Sequence, residues 1–496
     1  MAKKAPFNDL AFRPAEEGKP LAAWLYEELR AAILDGRLKS GIRLPSTRQL
    51  AVQYKVARGT VIAAFAPLLE EGYLDARQGS GSYVAANLPD QFFHAAGDHR
   101  PSFKTAAQST AGLSRWGAQL TATFPPRTAK ELGLPFEANL PALDLFPISL
   151  WGRLAGRRMR QASHKLLGAS EAAGYLPLRE AVADYLGSAR GVKCTAGQVV
   201  IVSGTQQTLQ LIARLVLNRD DQVWLEDPGY VGALAAFKAA EAQVVAVPVD
   251  DHGMDVDSGQ RLAPRAKLAY ISPAHQFPLG VSLSLERRLA LLRWAQKAGA
   301  WIFEDDYDSE YRFTGRPLPS LQSLDASGCV IFAGSFNKML FPTLRLGYVV
   351  LPPRLVQPFL HARSMSDRFA PVLDQAVLCD FFTEGHFGQH IRRMREAYAE
   401  RLAALLNAAQ GPLAGLLDIR PIQAGMQAAA ILPASHPDRA ASLAAAAHGV
   451  EASPLSVFQI QRTDVNGLLL GFANATPAAI HLAAKRLAAA LRAMPG

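Results

Sequence analysis

The sequence predicts a chain in two parts. A small helical module ends in a two-stranded wing, and a large open α/β domain follows, closing in a smaller α+β subdomain. Three observations carry this. Two short apolar-periodic helices flank a tight turn between Leu44 and Glu71. A poorly patterned stretch of Pro, Gly, Ser, Thr and Gln pieces comes next. From Leu134 onward, short β-branched runs alternate with helical periodicity, as in a mostly parallel sheet covered on both faces. The expected boundaries are 15–84 for the N-terminal module, 85–132 for a linker and 133–496 for the large domain.

Composition bounds the function classes. At 496 residues the chain exceeds one ordinary domain and can bury a sizeable core. With 49% hydrophobic and 19% charged residues it is globular, not disordered. The net charge of +9 permits a nucleic-acid partner without requiring one. Cys194, Cys329 and Cys379 are far apart and form no C-x-x-C, so neither a zinc motif nor a disulfide framework is expected. The start, Met-Ala-Lys-Lys-Ala-Pro-Phe, lacks the apolar stretch of a signal peptide, and no apolar run approaches the roughly 20 residues of a membrane span. The expected location is cytoplasmic.

In the N-terminal module, Leu21, Leu25, Leu29, Ile33 and Leu34 mark one helix face, and Gly36 and Gly41 punctuate its exit. Ser46 can cap a second helix whose apolar side includes Leu50 and Val52. A turn at Lys55-Val56-Ala57 leads to a third helix over Arg58–Glu71. This is the helix-turn-helix pattern, whose second helix enters the major groove by its N-terminal end. Arg58, Gly59 and Thr60 stand there, and arginine matches guanine O6 and N7 while threonine suits phosphate or base edges. Gly72 to Val84 reads as a wing with a glycine tip. Pro67 inside the third helix removes a backbone hydrogen bond and is expected to kink the axis.

Leu44-Pro45-Ser46-Thr47-Arg48, Val56-Ala57-Arg58-Gly59-Thr60-Val61, Leu68 to Leu74 and the wing Arg77 to Val84 make this segment resemble the GntR family of winged-helix regulators. The resemblance implies double-stranded operator DNA as a partner, contacted by Arg48, Arg58, Thr60 and the wing near Gly79.

The large domain carries an ordered set of polar residues at expected strand ends. Strand candidates are Gln198–Val202, Val223–Leu225, Val244–Val247, Leu268–Ile271, Trp301–Phe303 and Val330–Ala333. After the first, Ser203-Gly204-Thr205-Gln206-Gln207 opens a helix, where glycine lets a backbone approach and the helix N-terminus favours an anion. Tyr230 follows Glu226-Asp227-Pro228-Gly229. Asp305 ends the Trp301–Phe303 strand, and Tyr307 is two residues on. Lys338 lies in Ser335-Phe336-Asn337-Lys338, before Arg345. Pyridoxal phosphate makes matching demands: an amine for its aldehyde, a carboxylate for its pyridine nitrogen, N–H groups and cations for its phosphate, an aromatic face for its ring. Ligands in open α/β sheets sit at the carboxyl ends of strands, where these residues fall. In that reading Lys338 supplies the Schiff-base amine, Asp305 pairs with the pyridine nitrogen, Tyr307 reaches the ring hydroxyl and Tyr230 stacks. Gly204, Thr205, Gln206, Ser335 and Arg345 hold the phosphate. The acidic run Glu304–Glu310 is not a calcium loop, because counting from Asp306 puts Tyr311 where that loop needs glycine. No metal site is expected.

These elements resemble the fold type I, aspartate aminotransferase-like family. With the N-terminal module, the whole chain from about residue 20 resembles the MocR subfamily of GntR regulators, which also accounts for Gly174 to Arg179, Ser272 to Gly280 and Gly385-His386-Phe387. The resemblance implies a head-to-tail homodimer in which each DNA module lies over the partner's cofactor domain. Two positions depart from it. Aminotransferases of this fold usually hold the substrate carboxylate with an arginine three residues before a phenylalanine near the C-terminus; Leu469 stands there, before Phe472. Some subfamily members carry an arginine two residues after the stacking tyrosine, where this chain has Gly232. A buried carboxylate without a cation is costly, so an ordinary α-amino acid held in the usual way is disfavoured.

Three readings follow. The first is a transcription regulator that senses pyridoxal phosphate, or an amine-bearing metabolite through it, at Lys338. The second is a working aminotransferase with an accessory DNA module. The third is a DNA-binding protein with a cofactor-free domain. The winged helix and Leu469 favour the first, with residual transamination at most.

Overall fold

The computed structural model describes residue 12 and residues 20–77, 80–86, 88, 112–123, 133–168, 170–313, 319–419 and 422–494. It divides into two compact units, Met1–Gly112 and Leu113–Gly496.

The first unit holds three helices and a β-hairpin. Helix α1 (Leu21–Leu34) buries Leu25, Leu29, Ala32 and Ile33, whereas Leu21 and Leu34, expected on that face, lie exposed at its ends. Helix α2 (Thr47–Gln53) opens on a capping box. The Ser46 hydroxyl accepts from Gln49 N at 3.3 Å, and Gln49 Oε1 accepts from Ser46 N at 2.9 Å, satisfying orphan amides reciprocally. Leu50 is buried, but Val52 is exposed, contrary to expectation. Helix α3 (Arg58–Glu70) buries Val61, Ala64, Phe65 and Leu68. Pro67 sits in its last turn, and Glu71 N still donates to Pro67 O at 2.8 Å, so α3 runs through the proline. Strands β1 (Leu74–Arg77) and β2 (Gly81–Val84) pair antiparallel, from Leu74 opposite Val84 to Arg77 opposite Gly81. One apolar cluster that includes Leu29, Leu50, Phe65, Leu68 and Tyr73 unites these elements.

The second unit begins earlier than the sequence suggests. A helix, α4 (Arg115–Thr123), forms inside the stretch expected to be a linker. The main sheet contains β3 (Val199–Val202), β4 (Gln222–Asp227), β5 (Gln243–Asp250), β6 (Gly253–Met254), β7 (Leu268–Ile271), β8 (Trp301–Asp306), β9 (Val330–Ser335) and β10 (Gly347–Val350), in the order β3-β10-β9-β8-β7-β4-β5-β6. Strands β5, β4, β7, β8 and β9 run parallel; β10 is antiparallel to both β3 and β9. The run Gly347–Val350 is a strand that local patterning did not single out. Strand β8 continues past Phe303 through Glu304-Asp305-Asp306, against the low strand propensity of acids. Specific partners make this possible: the Glu304 carboxylate accepts from Leu321 N and Gln322 N, and Asp306 pairs with buried Arg190 at 2.9 Å.

A second, antiparallel sheet of β11 (Asp418–Ile419), β12 (Gln427–Ile431), β13 (Ser453–Pro454) and β14 (Gly467–Gly471) forms the C-terminal subdomain, ordered β11-β12-β14-β13. The helices Asp438–Ala447 and Pro477–Arg492 bear on the same apolar core. Among the described residues, no helix is long and apolar enough to cross a membrane.

Candidate functional site

The carboxyl ends of β3, β8 and β9 converge, and a glycine makes the convergence possible. A Cβ added at Gly347 would lie 2.8 Å from Gly334 O, 3.3 Å from Gly204 Cα and 3.6 Å from Ser335 Cα. Gly204 caps the helix Thr205–Val216 with φ 141°, a conformation L side chains rarely adopt. The first amides of that helix have no intrahelical acceptor. A Cβ at Gly204 would face Asn337 Nδ2 at 3.6 Å and Arg345 Nη2 at 4.0 Å, so an amide and a guanidinium border the space above the helix N-terminus. Arg345 adopts φ 51° after the turn Pro342–Leu344. Its neighbour Leu346 N donates to Asn337 Oδ1 at 3.1 Å. Buried Ser335 ends β9 beside this space. These donors suit a phosphate.

Lys338 sits in the short helix Phe336–Met339 that follows β9. Its Nζ lies 3.9 Å from the centre of the Tyr307 ring and donates to Asn139 Oδ1 at 2.8 Å. Asp305 is fully buried: Tyr270 donates to its Oδ2 at 2.7 Å and Thr205 Oγ1 to its Oδ1 at 3.4 Å. Burial pushes its pKa up to about 6, against the Tyr270 hydrogen bond and the Lys338 charge. A carboxylate held this far from water calls for a cationic partner, which a pyridinium nitrogen would be. The Tyr307 phenol is kept neutral by burial, reinforced by the Asp308 charge. Its oxygen faces His275 Nδ1 at 3.3 Å, and Asp308 Oδ2 lies 2.9 Å from the same nitrogen.

Tyr230 caps the helix Val231–Ala239, with its ring 6.3 Å from that of Tyr270 at 28°. The Gln206 side chain accepts from the Tyr230 hydroxyl at 3.3 Å and donates to Gly232 O at 3.0 Å, so it positions Tyr230. A Cβ at Gly232 would collide with Gln206 and Tyr230, so this arrangement excludes a side chain there. A cavity of about 430 Å³ reaches Tyr230 and Gln206 and is lined on its far side by Trp116 and Leu120 of α4.

The structure thus brings Gly204, Thr205, Ser335, Lys338, Asp305, Tyr307 and Arg345 to one place, with Tyr230 at its edge. Sequence reasoning missed Asn139, Tyr270, His275, Asn337 and Gly347. Asn337 and His275 lay within quoted motifs and carried that much signal. Asn139 is 199 residues from Lys338, and nothing local announces the contact.

In the first unit, Arg48 is exposed on α2 and Arg58 is exposed at the start of α3, where its Nε donates to Thr47 Oγ1 at 3.3 Å. Thr60 is half-buried one residue after exposed Gly59. No acid stands in the first turn of either helix. Gly79 lies outside the described residues. At the wing, Arg77 lies over the Tyr83 ring at 4.5 Å, and Arg43, which the sequence did not single out, borders Gly81.

Residues 21–84 match the family model "Bacterial regulatory proteins, gntR family", and residues 148–487 match "Aminotransferase class I and II". The "Probable rhizopine catabolism regulatory protein MocR" of Rhizobium meliloti is 41% identical, across 92% of this chain and 91% of its own length. The chain belongs to the MocR-type GntR regulators. A second MocR-type relative, the HTH-type transcriptional regulator TauR of Rhodobacter capsulatus, is 33% identical across 98% of this chain and 99% of its own. The α-aminoadipate aminotransferase LysN of Thermus thermophilus, crystallised with N-(5'-phosphopyridoxyl)-L-leucine, superposes with a TM-score of 0.70 at 29% identity, covering 77% of this chain and 98% of LysN. This MocR-type chain is therefore a transcription regulator with a winged helix-turn-helix and a fold type I domain whose cofactor is pyridoxal phosphate. Bound, that cofactor supplies an aldehyde carbon with which amines condense reversibly.

Proposed function

We propose that this regulator senses pyridoxal phosphate, or an amine-bearing metabolite through it, at Lys338, and passes the result to operator DNA. The observation that carries the reading is the convergence of Lys338, Asp305 and Tyr307 beside the Gly204 helix N-terminus. Lys338 offers the amine, Asp305 a buried carboxylate for the pyridine nitrogen, and neutral Tyr307 a hydrogen bond to the ring hydroxyl. Thr205, the Gln206 amide, Ser335, Asn337 and Arg345 hold the phosphate, and Tyr230 covers the ring. Arg48, Arg58, Thr60 and the wing contact DNA. A homodimer supplies the paired reading heads that two operator half-sites require. The relative from Rhizobium meliloti is named a probable rhizopine catabolism regulatory protein, which supports a catabolic signal.

The test is reduction of the purified, cofactor-loaded protein with borohydride, followed by peptide mapping. Label on Lys338 is expected. Label on another lysine, or none with an absorbance free of cofactor, overturns the reading.

A further inference from the structure

The side of this site that carries Tyr307 is largely apolar. Leu469, on β14, shares one buried cluster with Phe277, Tyr307 and Leu455, and Ala138, Tyr230 and Phe458 pack against it. The Tyr307 ring joins this wall to the reactive amine, since Lys338 Nζ lies 3.9 Å above it. Register places Gln427 and Ala429 opposite Gly471 and Leu469, on the same face of the sheet. Two polar groups of this rim are amides. Asn139 accepts from Lys338 Nζ, and its own N donates to Gln427 Oε1 at 3.0 Å. Gln427 is 2% exposed; its Nε2 lies toward the Tyr307 hydroxyl but without the geometry of a hydrogen bond.

Among the described residues, Arg462 and Arg395 are engaged. Arg462 is paired with Asp464 at 2.6 Å and donates to Val249 O at 2.6 Å, and Arg395 donates to Glu310 O at 2.5 Å. A carboxylate next to the ligand's amine would meet Leu469, Phe277 and neutral amides. A desolvated carboxylate without a cation is strongly penalised, whereas a buried amide donor such as Gln427 Nε2 is relieved by a neutral oxygen.

We propose that Asn139, Gln427 and Leu469 restrict the ligand of this site to amines that carry no carboxylate on the amine-bearing carbon. This rests on the reading of Lys338 as the cofactor lysine and adds the class of ligand. The strap that carries Asn139 is held by the C-terminal subdomain: Gly471 N donates to Phe136 O at 2.9 Å, and a Cβ at Gly471 would strike Glu137 O. Asn139 is thereby fixed against β14, with Leu469 two residues before its anchor.

The test uses the full-length protein loaded with pyridoxal phosphate and follows its visible absorbance during titration with n-butylamine or with L-norvaline, the same chain plus an α-carboxylate. The cofactor band is expected to shift with n-butylamine at about tenfold lower concentration or less, the factor that 1.4 kcal/mol of lost carboxylate solvation produces. Leu469→Arg is expected to reverse the order. Equal or tighter binding of L-norvaline by the unaltered protein overturns the inference, including the case in which a second copy of the chain supplies the missing cation. The wild-type comparison decides even where the arginine variant fails to fold. A cofactor band present at Lys338 with L-norvaline preferred sinks this inference alone. Absence of the band sinks the reading beneath it.

Discussion

The DNA-reading module and the cofactor site solve opposite problems. The module exposes its cations: Arg48 and Arg58 stand at the starts of two short helices, and a compact apolar cluster sets their spacing. The cofactor site buries its charges. Asp305 is buried, and the residues around it come from strand ends and loops far apart in sequence. A surface reader needs only local geometry and tolerates a lost contact. A buried site needs every partner, because a charge left unpaired there has no water to fall back on.

The largest effects are therefore expected in the second unit. Lys338→Ala should abolish the reducible covalent adduct outright and leave the far-ultraviolet dichroism unchanged; a retained adduct would place the reactive amine elsewhere. Next comes Asp305→Asn. Removing one partner of a buried ion pair costs about 3–5 kcal/mol, so cofactor affinity should fall by about two to nearly four orders of magnitude, read by equilibrium dialysis. Without cofactor the sign reverses. Burial raises the folded pKa of Asp305 to about 6 from its ordinary value of 3.8, so the folded state holds the proton more tightly than the unfolded chain. This group thus withdraws stability as pH rises between those two values. The cofactor-free Asp305→Asn variant should melt higher than the cofactor-free parent at pH 7 and lose that advantage toward pH 4. An unchanged difference between the two pH values would mean that another group sets the pH dependence.

The DNA module should respond more mildly. Arg58→Ala or Arg48→Ala should each weaken operator binding by about 1–3 kcal/mol and leave the cofactor spectrum intact. Affinity should also fall steeply with salt as counterions are released. Unchanged operator affinity in both variants would remove α3 as the reading helix. The smallest effect is on stability. Ser46→Ala breaks the capping box of α2 and should cost about 1 kcal/mol, measured by denaturant unfolding of the N-terminal unit's transition.

The same contrast explains what was legible in the sequence. The Ser46 cap, the turn before Arg58 and the wing are local, so periodicity and turn chemistry place them almost to the residue. In the large domain, Gly204, Asp305 and Lys338 were legible because each sits at a strand end, where a change of pattern marks the position. Strand β8 was read too short because its acids defy strand propensity; only tertiary partners such as Arg190 and the Leu321 and Gln322 amides make Glu304–Asp306 a strand. Strand β10 is short and begins with glycine, so its pattern is faint. Asn139 and Tyr270 depend on long-range packing and leave no local trace. Periodicity puts Leu21, Leu34 and Val52 on buried faces, yet they lie at or near helix ends and are exposed.

Ligand at Lys338 and DNA at the N-terminal module are expected to influence each other. Fusion of a DNA reader to a cofactor domain explains itself only if ligand at Lys338 binds two arrangements of the protein unequally. The direct measurement is titration of operator DNA with the full-length protein, with and without pyridoxal phosphate, alongside Lys338→Ala. The cofactor is expected to change operator affinity by a factor of about 5–150, and Lys338→Ala to remove most of that change without altering affinity in the cofactor's absence. Superimposable isotherms in all four conditions would contradict it and leave two independent activities on one chain.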